Sequence, residues 1–161
     1  MKQYPILFFI FITTALVAQN TSEERLPYYE IPEYSETFTA GTVAARMVDA
    51  LGFRFYWASE GLSEKDLEFQ PSEDVRSTIE TIDHILELSY IIVNSTLKKA
   101  NAKVDNSNLS YEQKREQTLK NLKTAADILR ESDDISQFKI IFGEREVPFW
   151  NQINGPIADA I

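Results

Sequence analysis

The sequence predicts an all-α fold, a four-helix bundle whose last helix is cut short. Three observations predict it. Long segments repeat their apolar residues at the three-and-four spacing of an α-helix. Serines stand as caps ahead of two of those segments, Ser77 and Ser110. A further helix start, Asn154-Gly155-Pro156, comes only a few residues before Ile161. The 161 residues fall in the range of one domain, and 43% hydrophobic residues are enough for a core.

In chain order, MKQYPILFFIFITTALVAQN places one cation, Lys2, before an apolar-to-neutral run from Ile6 to Val17 and then Ala18. This is the layout of a secretory signal peptide, residues 1–18, cut after Ala18. The run is about half of the roughly 20 residues a spanning helix needs, so a retained anchor is the weaker reading. No Cys follows it, which excludes a lipoprotein start. The expected location is exported, periplasmic or extracellular, with no membrane attachment after cleavage. Residues 19–38 carry Pro27 and Pro32 without periodicity and read as an extended lead-in to a helical domain over 39–161.

The first helix is expected from Thr39 or Gly41 to Glu60. Val43, Met47, Ala50, Leu51, Arg54 and Ala58 form one face, with Phe53, Tyr56 and Trp57 beside it. Gly61 ends it, and Leu62 to Asp66 opens a loop that runs through Phe69-Gln70-Pro71. Ser77-Thr78-Ile79-Glu80 is a capping box that starts the second helix. One apolar row is Ile79, Ile82, Leu86, Tyr90, Val93 and Leu97, and a second is Ile85, Leu88 and Ile92. Two buried sides suit a helix with two neighbours.

A polar stretch, ANAKVDNSN, leads to Ser110 and a third helix with Tyr111, Leu119, Leu122, Ala126 and Leu129 on one side and charges elsewhere. That helix is expected to pack on one side only. Ser132-Asp133-Asp134 then reads as a turn, Phe138 to Phe142 as a short apolar run, and Gly143-Glu144-Arg145-Glu146 as the turn of a small hairpin. After Asn154 the apolar residues Ile157, Ala158, Ala160 and Ile161 begin a fourth helix. A helix of about six residues is well below the roughly 12 needed for marginal stability alone, hence the expectation that it is cut short.

Composition excludes several functions. The formal net charge is −9, from 25 acidic and 16 basic residues, and no Lys or Arg stripe could neutralise phosphates in register. Nucleic acid is not an expected partner, and an acidic surface repels anionic lipid. Without Cys there is no disulfide and no thiolate nucleophile or ligand. His84 is the sole imidazole, and no serine is marked as its partner in nucleophilic catalysis. On the second helix Glu80, His84 and Glu87 lie at i, i+4 and i+7 and share one sector, with Asp83 beside them. A histidine with carboxylates can hold a divalent ion, although three ligands from one helix need help from a second. From the spacing alone the plainer reading is a solvated carboxylate face of Glu80 and Glu87, with His84 as an ordinary packing residue at its border with Leu88.

From Ala40 onward the residues resemble the DinB/YfiT-like superfamily of small four-helix bundles, many of them metalloenzymes. The resemblance is carried by Trp57 to Leu67 (WASEGLSEKDL), Phe69-Gln70-Pro71, Arg76-Ser77 and Asp83-His84-Ile85, in that order. The tail from Pro148 to Ala160 resembles the segment that opens the last helix in secreted relatives. The resemblance implies a divalent ion, commonly zinc or nickel, with one ligand from a histidine near the start of the second helix. His84 matches that ligand. The family's other two, a His-x-x-x-His pair on the last helix, have no counterpart in these 161 residues. The expectation is an exported metal-dependent hydrolase or transferase of unknown small-molecule substrate, its metal site incomplete in this chain and its ion not tightly held. The alternative is a non-catalytic helical binding or interaction module. A homodimer would cover apolar rows that a short fourth helix leaves open.

Overall fold

Side-chain caps set where the helices begin. In the computed structural model, which describes residues 25–161, Thr39, Ser63, Ser77 and Ser110 each accept from the backbone N–H three residues on, and each third residue reaches back. These boxes open α1 (Ala40–Ala58), α2 (Glu64–Glu68), α3 (Thr78–Thr96) and α4 (Tyr111–Arg130). The Ser77 box is the one the sequence predicts. Ser63 with Asp66 makes the same motif, so the expected loop after Gly61 contains a short helix instead. The signal-peptide reading of residues 1–18 lies outside the described residues.

At the far end of α3, Lys98 takes the left-handed conformation at φ 56. Its N–H donates to the Ser95 carbonyl and that of Lys99 to the Asn94 carbonyl, the paired bonds of a Schellman cap. The chain emerges as a two-residue strand, β1 (Ala100–Asn101). After α4 a single 3₁₀ turn (Ile135–Gln137) leads to β2 (Lys139–Phe142) and β3 (Arg145–Pro148), then α5 (Trp150–Ile153) and α6 (Pro156–Ala160). β2 pairs antiparallel with β3 and parallel with β1. Phe142 faces Arg145, so the hairpin loop is Gly143-Glu144, with Gly143 at φ +59. Positive φ at the first loop position is what a tight II′ turn asks of glycine. The chain is therefore mostly helical with a small three-stranded sheet, which corrects the all-α expectation while retaining its hairpin.

The core differs from the sequence reading on two helices. On α1 the buried residues are Ala44, Ala45, Val48, Leu51, Gly52 and Phe55 among others, whereas Val43 is 51% exposed and Arg54 and Ala58 face solvent. Small residues are favoured here by close approach: a Cβ on Gly41 would lie 1.7 Å from the Ser132 carbonyl oxygen. On α4 burial extends beyond Leu119, Leu122, Ala126 and Leu129 to Lys114, Arg115, Thr118 and Asn121. α4 packs against both α1 and α3, not on one side only. Its buried polar groups are hydrogen-bonded, as Asn121 to Ser89 Oγ at 3.0 Å shows.

The lead-in is also more than an extended arm. Tyr28 adopts φ 72, is buried in the core, and its ring lies against Gly52, where a Cβ would come within 2.4 Å. At the other end α6 starts from Gly155 rather than from an Asn154 cap, and Ile157 is fully buried. Among the described residues no helix is long and apolar enough to cross a membrane.

Candidate functional site

His84 stands in the first half of α3, half-buried. Its sequence neighbours on the same sector are drawn elsewhere. Glu80 Oε2 accepts from the Ser77 N–H at 2.7 Å and from Ser77 Oγ at 3.0 Å. Those bonds favour the charged form and hold its carboxyl below its ordinary 4.5. Asp83 pairs at 2.6 Å with the Nζ of Lys114, a buried residue of α4. Glu87 remains exposed one turn further on. Among the described residues no group of three or more His, Asp or Glu side chains is placed to hold a metal ion. Among the described residues the donors around His84 therefore number fewer than the three protein ligands a catalytic divalent site uses.

The motif that carries most of the family resemblance has a structural use in this chain. Ser59 is buried at the end of α1 and donates to the Phe55 carbonyl at 2.5 Å. Arg115 of α4 reaches across to it: Nε donates to Ser59 Oγ at 3.1 Å, one terminal nitrogen donates to the Tyr56 carbonyl at 3.1 Å, and the guanidinium pairs with Glu60. The guanidinium also lies 4.4 Å from the centre of the Tyr56 ring. Tyr111 donates to the Ser59 carbonyl beside it. The end of α1 is thereby fastened to the first turns of α4.

A second buried polar cluster joins α1 to the other end of α4. Asp49 is 2% exposed and accepts from Arg130 at 2.6 Å and from the Tyr28 hydroxyl at 3.2 Å. Burial first, and then the Asp49 charge, push the Tyr28 hydroxyl well above its usual range. Neither cluster was marked by the sequence, since Asp49 and Arg115 look like surface charges until their partners are known.

No family model matches the chain, and neither a curated protein nor a solved structure matches it.

Space for a ligand lies beside His84's sector. Two adjoining hollows, of about 390 Å³ and about 560 Å³, open between α3 and the loop after β1. Glu87, Lys103, Val104 and Asn106 line both. The smaller one extends over Tyr90, Ile91 and Phe142, the larger over Asp83, Asp105 and Lys114. Both volumes are in the range of small-molecule pockets. The carboxylate sector that the helical spacing singled out therefore borders a cleft through Asp83 and Glu87, while His84 lines neither hollow. Lys103, Asn106 and Phe142 were missed because β1 and the parallel pairing that brings them to α3 have no local signal in a two-residue strand.

Proposed function

We propose that this chain is an exported, DinB-like four-helix-bundle protein of the metal-dependent hydrolase or transferase kind, with a small molecule as substrate and His84 as one ligand of a zinc or nickel ion. The observation that supports it is the position of α6. In the resembled family the remaining ligands stand on the last helix, and here α6 packs against α3, the helix that carries His84. Gln152, just ahead of α6, donates to the Ile91 carbonyl at 2.9 Å, two turns along α3 from His84. Glu80 and Asp83 are engaged by the cap and by Lys114, so α3 does not complete a ligand set by itself. One neutral imidazole does not hold a divalent ion at useful affinity.

The test is metal content. If the coding sequence runs on into a His-x-x-x-His pair, the longer protein purifies with one ion per chain and its His84→Ala variant with far less. Equal metal in both would remove His84 from the site. The 161-residue chain binds no ion stoichiometrically after dialysis against zinc or nickel, and one ion per chain would contradict that. A second reading, a non-catalytic helical binding module, is favoured by the structural use of the Ser59–Arg115 cluster and by the cleft on α3. A stop codon directly after Ile161 would leave that reading standing in place of the first.

A further inference from the structure

We propose that the paired hollows on α3 bind an organic primary ammonium compound with an apolar or aromatic body. The inference does not rest on the metal reading, because His84 lines neither hollow. Three features select the ligand's chemistry.

The first is charge. Lys114 is already neutralised by Asp83 at 2.6 Å, so the charges left on the two walls are Glu87, Asp105 and Lys103. Carboxylates outnumber ammoniums there, within a chain of formal charge −9, and a cation is drawn in while an anion is repelled. Asp105 is partly committed, accepting from the Ser107 N–H at 3.0 Å. Glu87, shared by both hollows, is the carboxylate placed to receive a ligand. Lys103 opposes it from an exposed loop on a long flexible stem.

The second is an orphaned acceptor. Asn106 lines both hollows, and its Oδ1 is buried just beneath the surface with no hydrogen-bond partner among the described residues. A buried acceptor without a donor is costly, and an ammonium offers three N–H groups to share between it and Glu87. The third is the apolar end. Tyr90, Ile91, Val104 and Phe142 converge in the smaller hollow, with Phe142 left 46% exposed. Two aromatic rings beside an acceptor pair suit an aryl or alkyl body and tolerate a nearby cation.

Calorimetric titration of the whole chain decides this with three probes of one shape: 2-phenylethylamine, 2-phenylethanol and 3-phenylpropionate. The amine is expected to bind about tenfold more tightly than the alcohol, because its ammonium makes charge-assisted bonds to Glu87, and the propionate most weakly, because the net negative charge of the walls opposes it. Glu87→Gln, at an exposed position, removes most of the amine's advantage and leaves the alcohol unchanged. Lys103→Met acts oppositely and tightens the amine by a few-fold. Phe142→Ala weakens amine and alcohol alike. Undetectable amine binding, propionate binding as well as the amine, or amine affinity unmoved by Glu87→Gln would each overturn the proposal.

Discussion

Arg115 shows how a single side chain can look like surface and act as a fastener. Its side chain is 11% exposed, yet its ionic partner Glu60 is 47% exposed, so solvent screens most of that pair. The stabilisation comes chiefly from the bonds to Ser59 Oγ and the Tyr56 carbonyl and from stacking on the Tyr56 ring. Arg115→Ala is expected to cost about 2–3 kcal/mol in urea unfolding, the range for buried hydrogen bonds to a charged group. Arg115→Lys should recover little, because an ammonium cannot reproduce the planar fork, and full recovery would refute the assignment. Tyr28 makes a different case. Its hydroxyl binds its proton more tightly in the folded chain than the ordinary value of 10.0 allows. The resulting stabilisation is complete below pH 10 and is lost as pH climbs beyond it. Stability measured from pH 8 to 11 should fall at the alkaline end, and Tyr28→Phe should flatten that fall while costing about 1–3 kcal/mol at neutral pH, where Asp49 loses a donor.

Elements were legible where a local signal leads into a long periodic segment, and obscure where the element is short, as α2 behind its Ser63 cap, or depends on a distant partner. Ser77 with Glu80 and Ser110 before α4 announced their helices because a cap acts over one turn. The hairpin was readable from Phe138 to Phe142 and Gly143 for the same reason. β1 was not, since two residues gain their strand character only by pairing with Ile141 and Phe142, some forty positions away. The face of α1 differs from the expected one because apolar residues run almost all the way round this helix, and the buried side is chosen by close approach at Gly41 and Gly52 rather than by hydropathy. Gly41 is the sharpest instance: a Cβ there would lie 1.7 Å from the Ser132 oxygen and 2.3 Å from that of Leu129, both backbone atoms that cannot rotate away. Gly41→Ala is therefore expected to destabilise by about 2–3 kcal/mol, despite alanine's better helix propensity. A lowered urea midpoint with an unchanged slope would show the loss in the native state, whereas a midpoint equal to or above the parent's would contradict the close packing of α1 on α4.

At the scale of the whole molecule, the candidate site was legible as a position and not as a surface. The 3.6-residue period placed Asp83, His84 and Glu87 near one another on α3. It could not show that Lys114 would neutralise Asp83 or that the loop after β1 would form a cleft over Glu87, since both depend on other elements. Charge acts on the molecule as a whole in two opposing ways. A net charge of −9 makes the folded chain repel itself at pH 7, and protonation on the way toward the isoelectric point near 4.7 relieves that repulsion. Against this stand exposed carboxylates whose protons are held less tightly in the fold. Glu80 is lowered by its bonds to Ser77, Asp66 by Ser63, Asp134 by Ser136 and Glu112 by its own N–H and Ser110. Each contributes stability that is present above its unfolded value of 3.8 or 4.5 and is lost as pH falls through the lower folded value. Stability should therefore rise gently from pH 7 to about pH 5 and drop below about pH 4, as the helix caps come apart. Added salt should remove the gentle rise by screening the long-range repulsion, while leaving the drop, because hydrogen bonds within a cap are short-ranged. Glu80→Gln keeps an acceptor for the Ser77 N–H and should make the acid drop shallower. A parent chain whose stability continued to increase from pH 4 to pH 3 would show that repulsion, and not capping, governs its acid limb.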